Sequence, residues 1–171
     1  MRKPVKVIPL VFLICFAVAY QQEDIKNTNP LIGVWKVVET AIIDSEGEQK
    51  NRYEHPSIYI FQDDYYSMVM VWGNEPRPEF DDPWNPTDEE KIKAYNSILV
   101  NAGKYEIKGS VIITRPIIAR VPNFVGGEAQ YEYKIEGDTL TLIMFDEVSE
   151  KGVPQPWVGK LKGRRTLIRI K

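Results

Sequence analysis

The chain has 171 residues, 22 basic against 24 acidic side chains, and a formal charge of −2 at pH 7. That length is about one domain with room for a sizeable core, and the acid-leaning balance excludes a nucleic-acid grip, which needs a basic face. Cys15 and His55 are the only cysteine and histidine, which excludes a disulfide framework and a His/Cys zinc cluster.

The chain opens on a basic stretch (Arg2, Lys3, Lys6), an apolar run from Val7 to Val18, and the small residues of Ala17-Val18-Ala19. Residues 1–19 are therefore expected to be a signal peptide cleaved after Ala19. The run is short for a membrane span. Retention as an anchor is one alternative. Acylation at Cys15 is another, disfavoured because Ile14 precedes it where a small residue is preferred. Cleavage removes three basic residues and the cysteine, leaving a more acidic chain with no integral span. An export signal without disulfides suits a bacterial periplasm or secretion from a bacterium. Residues 20–29 read as a flexible lead-in and 30–171 as a single domain.

Strand patterns follow. Gly33 to Ile43 is rich in Val, Ile and Thr and ends at the turn Asp44-Ser45-Glu46-Gly47. Ser57–Phe61 and Tyr65–Trp72 form a predicted hairpin about Gln62-Asp63-Asp64. Lys104–Ile107 pairs with Val111–Ile118 about Lys108-Gly109-Ser110, and Glu128–Ile135 with Thr139–Phe145 about Glu136-Gly137-Asp138. Arg164–Ile170 is the last strand. About eight short strands joined by tight turns predict an all-β closed barrel or sandwich. One segment departs from this. Gly73 to Pro86 holds four prolines, and Thr87-Asp88-Glu89-Glu90 matches a capping box. It predicts a helix over Asp88–Val100 with Ile92, Tyr95 and Leu99 on one stripe. A lid and a plug for a barrel end are both open for this loop and helix.

Few residues offer chemistry. His55 stands beside Pro56 at a turn, and no nucleophile elbow accompanies it. Glu75, Glu79, Asp81 and Asp82 lack the spacing of a calcium loop and read as a solvated acidic segment. Val125-Gly126-Gly127 lacks the surroundings of a phosphate loop. No catalytic residue, metal ligand or cofactor is assigned.

Four signals fall in order: Gly33-Val34-Trp35, Ala102-Gly103-Lys104-Tyr105, Pro122-Asn123-Phe124-Val125-Gly126, and Gly137-Asp138-Thr139-Leu140. Together they resemble the bacterial lipocalin-like domain family. The resemblance implies an antiparallel barrel closed at one end by Gly33 and Trp35, with a basic residue of the last strand packed over the tryptophan; with the strands and helix read above, the expected fold is an eight- to ten-stranded barrel with one short inserted helix. Relatives often carry histidines where Thr114 and Arg115 stand, and a basic residue where Tyr131 or Tyr133 stands, so no histidine chemistry is carried over.

If Trp35 points inward as in lipocalins, strand alternation turns Val37, Glu39 and Ala41 inward too. An interior Glu39 needs a partner, with Arg115, Arg164 and Arg165 as candidates. Such a pair is either structural or orients the polar end of a ligand; a bulge in this strand would turn Glu39 out. Tyr66, Met68, Met70 and Trp72 share one face of a strand, and Tyr131, Tyr133 and Met144 lie on later ones. These seven, with Glu39 and Arg115, are the expected ligand-binding set: soft, aromatic walls with few polar groups. The leading expectation is an exported binder of a small, largely apolar molecule. The alternatives are a cofactor-free isomerase or cyclase that uses the cavity as a template, and an interaction module anchored by Trp84.

Overall fold

In a computed structural model, which describes residues 29–73 and 75–171, β-branched and aromatic residues alternating with polar ones build nine strands. They are β1 (Gly33–Asp44), β2 (Gly47–Arg52), β3 (Ser57–Gln62), β4 (Tyr65–Val71), β5 (Ile98–Lys108), β6 (Val111–Ala119), β7 (Glu128–Glu136), β8 (Thr139–Val148) and β9 (Lys162–Ile170). Each of β3 to β8 pairs antiparallel with the next, and β1 pairs with β3 on one edge and β9 on the other. Eight strands thereby close a barrel. The ninth, β2, lies along the far half of β1, Glu39 to Asp44. Sequence reading missed it because GEQKNR is exposed throughout; ladder hydrogen bonds and the Glu48–Arg164 ion pair hold it, and neither leaves a hydrophobic period.

The core fills the barrel at the end where β1 begins. Leu31, Trp35, Val37, Phe61, Leu140 and Leu167 are fully buried there. The Trp35 indole Nε1 donates to the Leu31 carbonyl at 2.8 Å. The Arg169 guanidinium stacks on the ring at 4.0 Å and donates to the carbonyls of Ile32 (2.6 Å) and Pro30 (2.9 Å). This is the basic residue over the tryptophan that the resemblance implied. Gly33 has φ +140°, and a Cβ there would strike Arg169, so the glycine of the opening motif leaves room for the arginine that caps the tryptophan.

Three bulges set which side chains face inward. The β1–β9 register slips between Val37 and Glu39, leaving Val38 as the extra residue. Trp35 and Val37 face inward, opposite Arg169 and Leu167; beyond the bulge Thr40 and Ile42 do, opposite Arg165 and Gly163. The β7–β8 register slips where Gln130 opposes Asp146 and Tyr131 opposes Met144, so Phe145 is extra and Glu147 shares the inward face with Met144 and Ala129. The third lies in the β5–β6 pair, at Gly103; a Cβ there would come within 2.7 Å of the Ile117 amide nitrogen.

The inserted helix, α1, runs Asp88–Asn96 and has the expected capping box. Thr87 Oγ1 accepts from the Glu90 amide (3.3 Å), and Glu90 accepts from the Thr87 amide (2.7 Å) and, through its other oxygen, from Asp81 (2.8 Å). The helix stops earlier than its pattern predicts, and Leu99 belongs to β5. Ile98-Leu99-Val100 satisfies both periods, and pairing with β4 decides for strand. Thr87→Ala should cost α1 about 1 kcal/mol. The measurement is amide exchange, roughly fivefold faster from Lys91 to Ala94 with barrel amides unchanged.

Candidate functional site

The other end of the barrel is not filled. The inward residues there enclose a cavity of about 370 Å³. Its walls are mostly apolar or aromatic, with Met68, Leu99, Phe124 and Met144 among them, and Trp72 and Trp157 stand at the mouth. Trp72 follows the end of β4 and is half exposed. The segment between β8 and β9 supplies Gln155, Trp157 and Leu161. The rim at Arg120 is tied to α1: Tyr95 donates its hydroxyl to the Arg120 carbonyl at 3.0 Å, and Arg120 donates back to the Tyr95 carbonyl at 3.0 Å and stacks on its ring. No residue of α1 lines the cavity, so the helix neither plugs the barrel nor forms a wall. It braces the rim from outside.

Polar groups gather at one place on the wall. Arg165 of β9 is 7% exposed. Its Nε has no hydrogen-bond acceptor and no carboxylate lies at ion-pair distance, among the described residues. Tyr59 and Tyr131 line the same cavity, and with Tyr53 they lie near enough for their phenols to bear on the Arg165 charge. Burial pushes Tyr59 and Tyr131 above the ordinary phenol range, opposed by the Arg165 charge; it pushes Tyr53 up to about 12. The Tyr59 hydroxyl donates to Met70 Sδ at 3.3 Å, and that of Tyr53 to the Val71 carbonyl at 2.8 Å. Burial also holds the Glu147 carboxyl above its usual range, while the Trp157 indole beside it and the Arg165 charge act in the opposite direction. The result is an apolar pocket with a cation, two phenols and a reluctant carboxylate.

A model of the lipocalin-like domain family matches residues 32–159. The chain belongs to the lipocalin-like domain family. Among solved structures it is similar to a lipocalin-like protein from Bacteroides uniformis, at 12% identity over 82% of this chain and 98% of that one, with a TM-score of 0.43. No curated protein matches.

In this lipocalin-like barrel the expected ligand set divides. Met68, Trp72, Tyr131 and Met144 line the cavity. Tyr66 and Met70 are buried in the packed wall without lining it; the Tyr66 hydroxyl lacks a hydrogen-bond partner among the described residues. Tyr133 lies toward the opposite end, in a second, more open and more polar pocket of about 400 Å³ with Asn29, Asp63, Asp64 and Tyr105.

Two expectations are corrected. Glu39 faces outward because the bulge at Val38 shifts the alternation; it pairs with Arg164 at 2.8 Å, and Arg164 also meets Glu48 of β2. Arg115 faces outward as well, because its neighbour Thr114 is the buried one, and it pairs with Glu106 (2.9 Å) and Glu128 (2.8 Å). Sequence reading also missed Tyr59, Glu147, Gln155 and Trp157 as cavity residues. Of the three arginines considered as interior partners for Glu39, Arg165 is the one that faces the cavity, as alternation from Leu167 places it. His55 rests edge-on against Tyr53, with ring centroids 5.7 Å apart. Trp84 is 93% exposed. Among the described residues no group of acidic, His or Cys side chains is placed to hold a metal, and no helix is long and apolar enough to cross a membrane. The signal-peptide reading of residues 1–19, and Cys15, fall outside the described residues.

Proposed function

We propose that this barrel binds one small, largely apolar molecule in its cavity, and that the protein is exported to a bacterial periplasm or beyond. The observation that carries the first part is the cavity itself, about 370 Å³ with mostly apolar walls. That lies within the ~300–1,000 Å³ range of small-molecule sites. The export reading is supported by the basic start, apolar run and small residues of 1–19; N-terminal sequencing of the protein from a periplasmic fraction should find Tyr20 first, and Met1 would contradict it.

Fluorescence titration with the neutral probe N-phenyl-1-naphthylamine tests the cavity. We expect saturable enhancement at one probe per chain. Ala119→Trp, which fills the pocket from the end of β6, should weaken probe binding at least tenfold with the barrel still folded. An unsaturable signal, or one indifferent to Ala119→Trp, would count against a barrel site. The second reading, a cofactor-free isomerase or cyclase, is favoured by Glu147, Arg165 and Tyr131 facing one pocket, an acid–base set beside an apolar template. Turnover of a candidate substrate that is lost in Glu147→Gln with binding retained would select it.

A further inference from the structure

Arg165 is the least expected side chain in this molecule. A guanidinium is always charged and carries five donors, and burying one without a partner costs several kcal/mol. The other arginines on the eight barrel strands are matched: Arg164 by Glu39 and Glu48, Arg115 by Glu106 and Glu128, Arg169 by two carbonyls and Trp35. Arg165 alone of these faces the cavity, more than nine-tenths buried, its Nε unpaired among the described residues.

Resting on the proposal that the cavity holds a ligand, we infer that the ligand is a carboxylate amphiphile: its acid group docks on Arg165 inside the barrel and its apolar part extends toward the mouth at Trp72 and Trp157. A planar carboxylate matches the arginine fork with two parallel hydrogen bonds. The phenols at hand complete the cradle. Tyr131 lines the same wall, and the Tyr59 hydroxyl donates only to a thioether sulfur, a weak acceptor, so it can turn to a carboxylate oxygen at little loss. Met68, Met144, Leu99 and Phe124 offer the adaptable apolar surface that a tail needs.

Other charged groups reach this spot from two directions. Arg120 stands at the mouth, already held by Tyr95. Glu147 of β8 is the opposing charge, and its raised pKa eases the conflict with an incoming anion. Binding of the acid should therefore weaken as pH rises through the Glu147 titration, and Glu147→Gln should flatten that dependence.

The test is displacement of N-phenyl-1-naphthylamine by decanoate and by 1-decanol, on the full chain and on Arg165→Met, Arg165→Lys and Tyr131→Phe. In the wild type we expect decanoate to compete at least tenfold better than decanol. Arg165→Met should erase that preference, the decanoate-to-decanol ratio being read against the variant's own probe affinity, and Arg165→Lys should keep part of it. Equal competition by acid and alcohol in the wild type, which needs no variant to fold, would overturn the carboxylate inference and leave the cavity reading standing. A decanoate preference that survives Arg165→Met would overturn the role of Arg165. A wild type that binds no probe at all would overturn the cavity reading and the inference with it.

Discussion

Trp35→Ala should lower the unfolding free energy by about 3–5 kcal/mol and Tm by roughly 10 °C or more. The ring is wholly buried at the closed end of the barrel. Its loss leaves a void beneath Leu31 and Phe61, frees the Leu31 carbonyl from its indole donor, and removes the surface on which Arg169 stacks. Trp35→Phe separates these effects. It keeps much of the packing and loses the hydrogen bond, so it should cost about 1–3 kcal/mol. Thermal unfolding followed by circular dichroism reads both. Gly33→Val belongs to the same unit, since its Cβ displaces the Arg169 guanidinium. If Trp35→Ala melts with the wild type, the closed end does not hold the barrel together.

The second large effect has the opposite sign. Arg165→Met should raise stability by about 1–4 kcal/mol, because replacing an imperfectly compensated buried charge with an apolar side chain of similar length removes its desolvation cost. Glu147→Gln should also stabilise, but only in part of the pH range. A carboxyl whose folded pKa lies above its unfolded value, about 4.3 for Glu, keeps its proton more firmly in the native state. That contribution is complete below the unfolded pKa and is lost as pH rises through the folded one. The variant should therefore match the wild type near pH 4 and gain on it toward neutrality. Chemical denaturation at pH 4 and pH 7 decides this, and an unchanged gap between the two would contradict a buried, reluctant Glu147. A side chain that costs stability where a methionine would fit is explained if it holds something, and this links the stability result to the ligand.

Hairpins, closure at Trp35 and the capped helix were legible in the sequence, because each leaves a local signal: a glycine turn between two runs of period two, a Gly-x-Trp start, a threonine three residues before a glutamate. The site was only half legible. Met68, Tyr131 and Met144 follow alternation from their neighbours without interruption. Glu39 does not, since one extra residue at Val38 reverses every side chain after it on β1. The same event at Phe145 on β8 brings Glu147 inward in place of Asp146. The two bulges thus leave Glu147 as the interior acid where uninterrupted alternation would have put Glu39 and Asp146. Neither leaves a mark in the residue pattern, because Val38 and Phe145 are ordinary strand formers. Trp157 and Gln155 come from an irregular segment, where no period exists to be read.

Native mass spectrometry of the protein, first as purified gently from its own cells and again after mixing with excess decanoate, tests the central claim most directly. The account predicts one small molecule per chain, released as a negative ion, with decanoate taking its place one for one. A chain that flies bare in both samples would contradict a ligand-holding barrel.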